Sequence, residues 1–174
     1  MVPAASLVAF LLFASAASAA SIDSPKRKSG LWDVEVSTPQ AGGTPAIHMQ
    51  QCVDQKSDDL MTQDAPGMEK MSCSKNETRR EGDEIIHESV CKMDGSTARS
   101  RAVITGSLDS AYRVDIKTTY DPPFQGMREG STAMKAKWLS PCKPAQKPGD
   151  VSLPSMPKMP GIDMEEMMRR AKER

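Results

Sequence analysis

The chain has 174 residues, the length of one ordinary domain with an appendage. Its 23 acidic and 23 basic residues cancel, so no long-range field draws in phosphate backbones or anionic lipid, and nucleic-acid binding is set aside. With 4% aromatic and 38% apolar residues the core is thin, and a folded body of about 110 residues buries only about two-thirds of its unfolded surface.

The first twenty residues carry no charged side chain. Residues 6–13 (SLVAFLLF) form an apolar run of signal-peptide length, too short to cross a bilayer. Small residues follow, with Ala17-Ser18-Ala19 as a cleavage site, so residues 1–20 read as a signal peptide. The usual Lys or Arg at its start is missing, and a buried N-terminal helix is the competing reading. No later stretch has the roughly 20 apolar residues of a membrane span. Residues 21–29 read as a flexible lead-in whose Lys26-Arg27-Lys28 run is solvated.

From residue 30 the chain alternates with period two, the mark of strands with one buried and one wet face. Trp32, Val34 and Val36 oppose Asp33, Glu35 and Ser37. After a turn around Gly42-Gly43, Ile47, Met49, Gln51 and Val53 repeat the pattern, and residues 57–61 suit a short helical turn with Asp58 and Asp59 at its start. Cys73 to Arg80 is so polar that it belongs at a sheet edge. Tyr112, Val114, Ile116, Thr118 and Tyr120 form the clearest set, and Thr132, Met134, Ala136 and Trp138 the last. Turns fall at Gly82-Asp83, at Asp94-Gly95, across residues 107–110, and at Asp121-Pro122-Pro123. The expectation is an all-β domain over residues 30–142, an antiparallel meander of about seven strands forming a curved sheet or a partly closed barrel.

Cys52, Cys73, Cys91 and Cys142 remain after cleavage, an even number without a C-x-x-C spacing, which points to two disulfides rather than a redox motif or zinc ribbon. Three connectivities are open. A hairpin turning near Gly82 brings Cys73 almost opposite Cys91, which favours that pair and leaves Cys52 with Cys142.

Past Cys142 the composition changes. Residues 143–161 hold five prolines and read as an extended linker without a strand ladder. Residues 162–174 then carry a helix signal. Asp163 and Glu166 are spaced as a capping box, Met164, Met167, Met168 and Ala171 share one face, and Glu165-Arg169 and Glu166-Arg170 are ion pairs one turn apart.

Gly30-Leu31-Trp32-Asp33-Val34, Gln50-Gln51-Cys52-Val53, the hairpin bracketed by Cys73 and Cys91, and the closing Pro141-Cys142 together resemble the domain-of-unknown-function 3617 family of proteobacterial exported proteins, over roughly residues 28–143. The resemblance implies a periplasmic β-rich domain with no established activity and no known catalytic residue. The chain departs from that family between its first two strands, where it reads TPQAGGTP instead of a Met- and Pro-rich segment, and at Lys137-Trp138-Leu139-Ser140, where the family often has a basic, Gly-containing motif. The tail is an addition.

A search for chemistry returns little. His48 and His87 sit in no catalytic signature and read as wet or cross-strand polar residues, so the chain is taken as no enzyme, with no cofactor. Methionine is the one suggestive element. Met156, Met159, Met164, Met167 and Met168 crowd the tail, and thioethers suit copper(I), although a methionine face also packs well against irregular apolar surfaces. The leading expectation is therefore a non-catalytic module that binds a protein or a small apolar ligand on an apolar sheet face. The alternative is a copper(I)-binding accessory protein using those five methionines.

Overall fold

The structure is a computed structural model that describes residues 20–39, 45–60 and 72–154. The signal segment up to Ala19, the turn at Gly42-Gly43, the five tail methionines and the expected helix over residues 162–174 lie outside the described residues.

One antiparallel sheet accounts for the fold. Its strands are β1 (Ala20–Ser21), β2 (Gly30–Ser37), β3 (Ile47–Val53), β4 (Ser72–Glu81), β5 (Glu84–Met93), β6 (Ser96–Ser107), β7 (Ala111–Phe124), β8 (Met127–Ser140) and β9 (Val151–Ser152). The spatial order is β1-β4-β5-β6-β7-β8-β2-β3-β9. The end strands β1 and β9 each have one neighbour, so the sheet is open and not a barrel. Nor is it a simple meander. β4 to β8 follow chain order, as do β2 and β3, and β8 pairs with β2 in a register that sets Trp138 beside Trp32 and Ala136 beside Val34.

The alternating residues meet on one face. Trp32, Val34, Val53, Ile85, Ala102, Ile104, Tyr112, Val114 and Ala136 form a single buried cluster, with Trp32 fully enclosed. A strand contributes alternate side chains to each face, and direct cross-strand partners share a face, so register alone aligns Ile85, Ile104, Val114, Met134 and Val36 in one row.

Three local expectations are corrected. β7 runs through Asp121-Pro122-Pro123 to Phe124 with an irregular register there, and the reversal comes at Gln125-Gly126, where φ is +49° and +80°. Two successive left-handed residues give the turn whose twist matches a hairpin, and the glycine takes its half without steric cost. Next, residues 143–154 are not wholly free of a ladder. Between Pro148 and Pro154 the chain keeps its N–H groups, and Val151 and Ser152 pair with Gln51 and Gln50 of β3 while Gly149 and Asp150 bond the backbone of Cys52. Finally, the turn after β3 begins at Asp54, whose carbonyl accepts from the Ser57 and Asp58 N–H groups, and Asp58 is not a helix-start residue in solvent.

Two disulfides tie the sheet, Cys52–Cys142 between β3 and the end of β8, and Cys73–Cys91 across the β4–β5 hairpin.

Candidate functional site

β1 lies against β4 at one side of the sheet, and β2 lies five strands away. Residues 22–29 must therefore cross the sheet. Nine residue steps reach about 30 Å when extended, enough for this strap to cross six inter-strand gaps of about 4.8 Å each.

The strap has no ladder of its own, yet its backbone groups are served one by one. Ile22 N–H donates to the Thr78 carbonyl and Lys28 N–H to that of Leu108. The indoles of Trp32 and Trp138 donate to the carbonyls of Lys28 and Ser29, at 2.8 and 3.1 Å. The Lys28 ammonium lies 4.1 Å over the Trp138 ring.

The loop after β3 meets the strap from the other side. Ser24 bonds Asp59, Lys26 reaches the Lys56 carbonyl, and Gln55 N–H donates to Ser29 Oγ. Strap and loop form a cover, and Ile22 and Leu60 from its two halves pack against the buried cluster.

Arg27 and Asp58 join the two halves. Arg27 is buried rather than solvated as the basic run suggested, with its guanidinium 2.6 Å from Asp58 Oδ1 and a further bond to Gln51 Oε1 at 3.0 Å. Asp58 also accepts from the Arg27 backbone N–H at 2.7 Å. Burial opposes the charge on Arg27, but the Asp58 carboxylate together with the neighbouring Tyr112 outweighs it and raises the guanidinium pKa. Beside this pair the Tyr112 hydroxyl is buried without a well-aligned hydrogen-bond partner among the described residues, and burial raises its pKa against the opposing pull of the neighbouring Arg27 guanidinium. The pairing of residues 31 positions apart leaves no local sequence signal.

Among the described residues the cover protects only part of the apolar face. Val36, Met49, Ile116 and Met134 pack against the core but stay partly exposed, and Ile47 is 47% exposed beside Val36.

The histidines do not converge. His48 faces Glu35 across β2–β3, whereas His87 is half-buried and bonded to Thr78 Oγ1 at 2.9 Å, with its pKa lowered by burial. All four cysteines are in disulfides. Among the described residues no group of three or more His, Cys, Asp or Glu is placed to hold a metal ion, and no helix is long and apolar enough to cross a membrane.

Among known families, the one described as "Protein of unknown function (DUF3617)" matches residues 27–142. No curated protein and no solved structure matches the chain.

Proposed function

Because the chain belongs to the DUF3617 family, whose matched span runs from the Arg27 latch to Cys142, we propose that it is an exported, non-catalytic binding module whose uncovered apolar sheet face receives the apolar side chains of a partner polypeptide. One observation carries the reading. Val36, Ile47, Met49, Ile116 and Met134 continue the buried face past the edge of the cover without being buried themselves. Flexible methionines among branched side chains adapt to another irregular surface, and an open sheet face suits a polypeptide better than a small molecule that needs enclosure. Export is supported by the apolar leader ending at Ala17-Ser18-Ala19 and by two disulfides, which persist outside a reducing cytoplasm.

An environment-sensitive dye tests the face. The native chain should bind it, and the Ile47→Asp/Met49→Asp variant should lose that binding. Absence of dye binding, or binding indifferent to the two substitutions, refutes the proposal. Dye binding that emerges only when the chain is ended at Pro154 assigns the face to residues 155–174 instead of a partner.

The copper(I) alternative rests on thioether chemistry at Met156, Met159, Met164, Met167 and Met168. Titration with copper(I) against a competing chelator decides it. Unchanged affinity after Met164, Met167 and Met168 are replaced by Leu sinks it.

A further inference from the structure

In the row that register draws across the apolar face, Ile85, Ile104, Val114, Met134, Val36 and Ile47, every residue except Met134 is β-branched. Branched side chains suit a pleated face, so apolarity alone does not call for methionine there. Met49 stands in the next row, beside Val34. The two thioethers thus lie on β8 and β3, the strands on either side of β2, and both are partly exposed past the edge of the cover.

No thiol competes with them. All four cysteines are in disulfides, so among the described residues methionine is the one form of reduced sulfur. Met93 ends β5 and Met127 begins β8 at its turn, and neither packs against the buried cluster as Met49 and Met134 do. Oxidation to the sulfoxide turns a flexible apolar side chain into a polar one, and exposure governs how readily it happens.

We propose that Met49 and Met134 are modification sites at which a peroxide-class oxidant closes the apolar face to its partner. This rests on the reading of that face as a binding surface. The sulfur lone pair attacks one peroxide oxygen, the O–O bond breaks and an S–O bond forms. The proton on the transferred oxygen passes to the departing hydroxide, which leaves as water. Sulfur loses two electrons and the peroxide gains them. Each sulfoxide then sets a hydrogen-bond acceptor where an apolar side chain of the partner would seat, and an acceptor buried without a donor opposes the contact. The crosslinks are already oxidised, so the response is confined to thioethers.

Treatment of the full chain with hydrogen peroxide, followed by peptide mass analysis and titration with the environment-sensitive dye, tests this. Met49 and Met134 should each gain one oxygen atom. Dye affinity should fall about tenfold, the effect of one polar group carried unpaired into an apolar contact. Incubation with methionine sulfoxide reductases of both epimer specificities should restore it. Whatever affinity Met49→Leu/Met134→Leu begins with, peroxide should leave it unmoved, whereas Met93→Leu/Met127→Leu should lose as much as the native chain. Conversion of Met127 while Met49 and Met134 stay reduced overturns the inference. So does a peroxide response that persists in Met49→Leu/Met134→Leu, because it places the sensitivity in other methionines. Native dye binding that survives full oxidation overturns this inference alone. Absence of dye binding before any treatment removes the underlying reading, and this one with it.

Discussion

Arg27 and Asp58 meet inside the protein at 2.6 Å, both side chains nearly enclosed, and this ion pair is the buried link among those that join the strap before β2 to the loop after β3. Two charges out of water need each other. Asp58→Ala or Arg27→Ala leaves one of them buried and unpaired, and should cost about 3–5 kcal/mol in urea unfolding. Replacing both together, Arg27→Met with Asp58→Leu, should cost less than either single change. Additive losses would show that the two residues act separately.

Tyr112 makes the opposite prediction. Its hydroxyl is buried beside Arg27, whose donors go to Asp58 and Gln51, while its ring packs 5.4 Å from that of Trp32. Tyr112→Phe keeps the ring contact and removes an unpaired polar group, so stability should hold or rise by about 1 kcal/mol. A clear loss would reveal a partner for the hydroxyl in solution.

The alternation was legible because it is local. Tyr112, Val114 and Ile116 point inward with Arg113, Asp115 and Lys117 outward, as period two requires. The order of the strands was not, because nothing within β2 announces that its partner lies in β8. Arg27 was hidden for a related reason. In sequence it belongs to a basic run, and only the path of the strap across the sheet brings Asp58 to it. The prolines after Cys142 misled by density, since a ladder needs N–H groups at two positions only, and Val151 and Ser152 retain theirs.

Gly30 sits where β2 begins, at φ +140°, and a β-carbon there would lie 2.3 Å from Trp138 Nε1 and 2.6 Å from the Ser140 carbonyl. Backbone strain and overlap act together. Gly30→Ala should destabilise by about 2–4 kcal/mol, measured by urea midpoint. A neutral result would mean that the end of β8 can shift outward freely.

The two disulfides close loops of very different length, with sequence separations of 90 for Cys52–Cys142 and 18 for Cys73–Cys91. If each acts by restricting the unfolded chain, replacing the first pair with Ala should cost about 4.5 kcal/mol and the second about 3 kcal/mol. The reverse order, read from denaturant curves, would locate their effect in the folded state.

Acid should weaken the fold in two stages. Burial lowers the pKa of His87 beneath its ordinary 6.5, so the folded chain binds fewer protons there than the unfolded one, and the contribution present above pH 6.5 is lost as pH falls. Hydrogen bonds from Lys75 and then Arg79 hold Glu88 at about 2 instead of 4.5, so its contribution is lost between about pH 4.5 and pH 2. Urea midpoints across this range should flatten in the lower window for Glu88→Gln and remain unchanged in the upper one. An identical acid profile would remove Glu88 from the account.

Trp32 pairs with Trp138, and Cys52 bonds to Cys142, so the first long strand is seated by the last. During synthesis the hairpins from β4 to β7 can close as they emerge, but β2 has no inner neighbour until β8 has left the ribosome, and such distant pairing is slow to form. Any machinery that handles the nascent polypeptide thus meets it before its interior exists, as a pliable thread and not as a finished body.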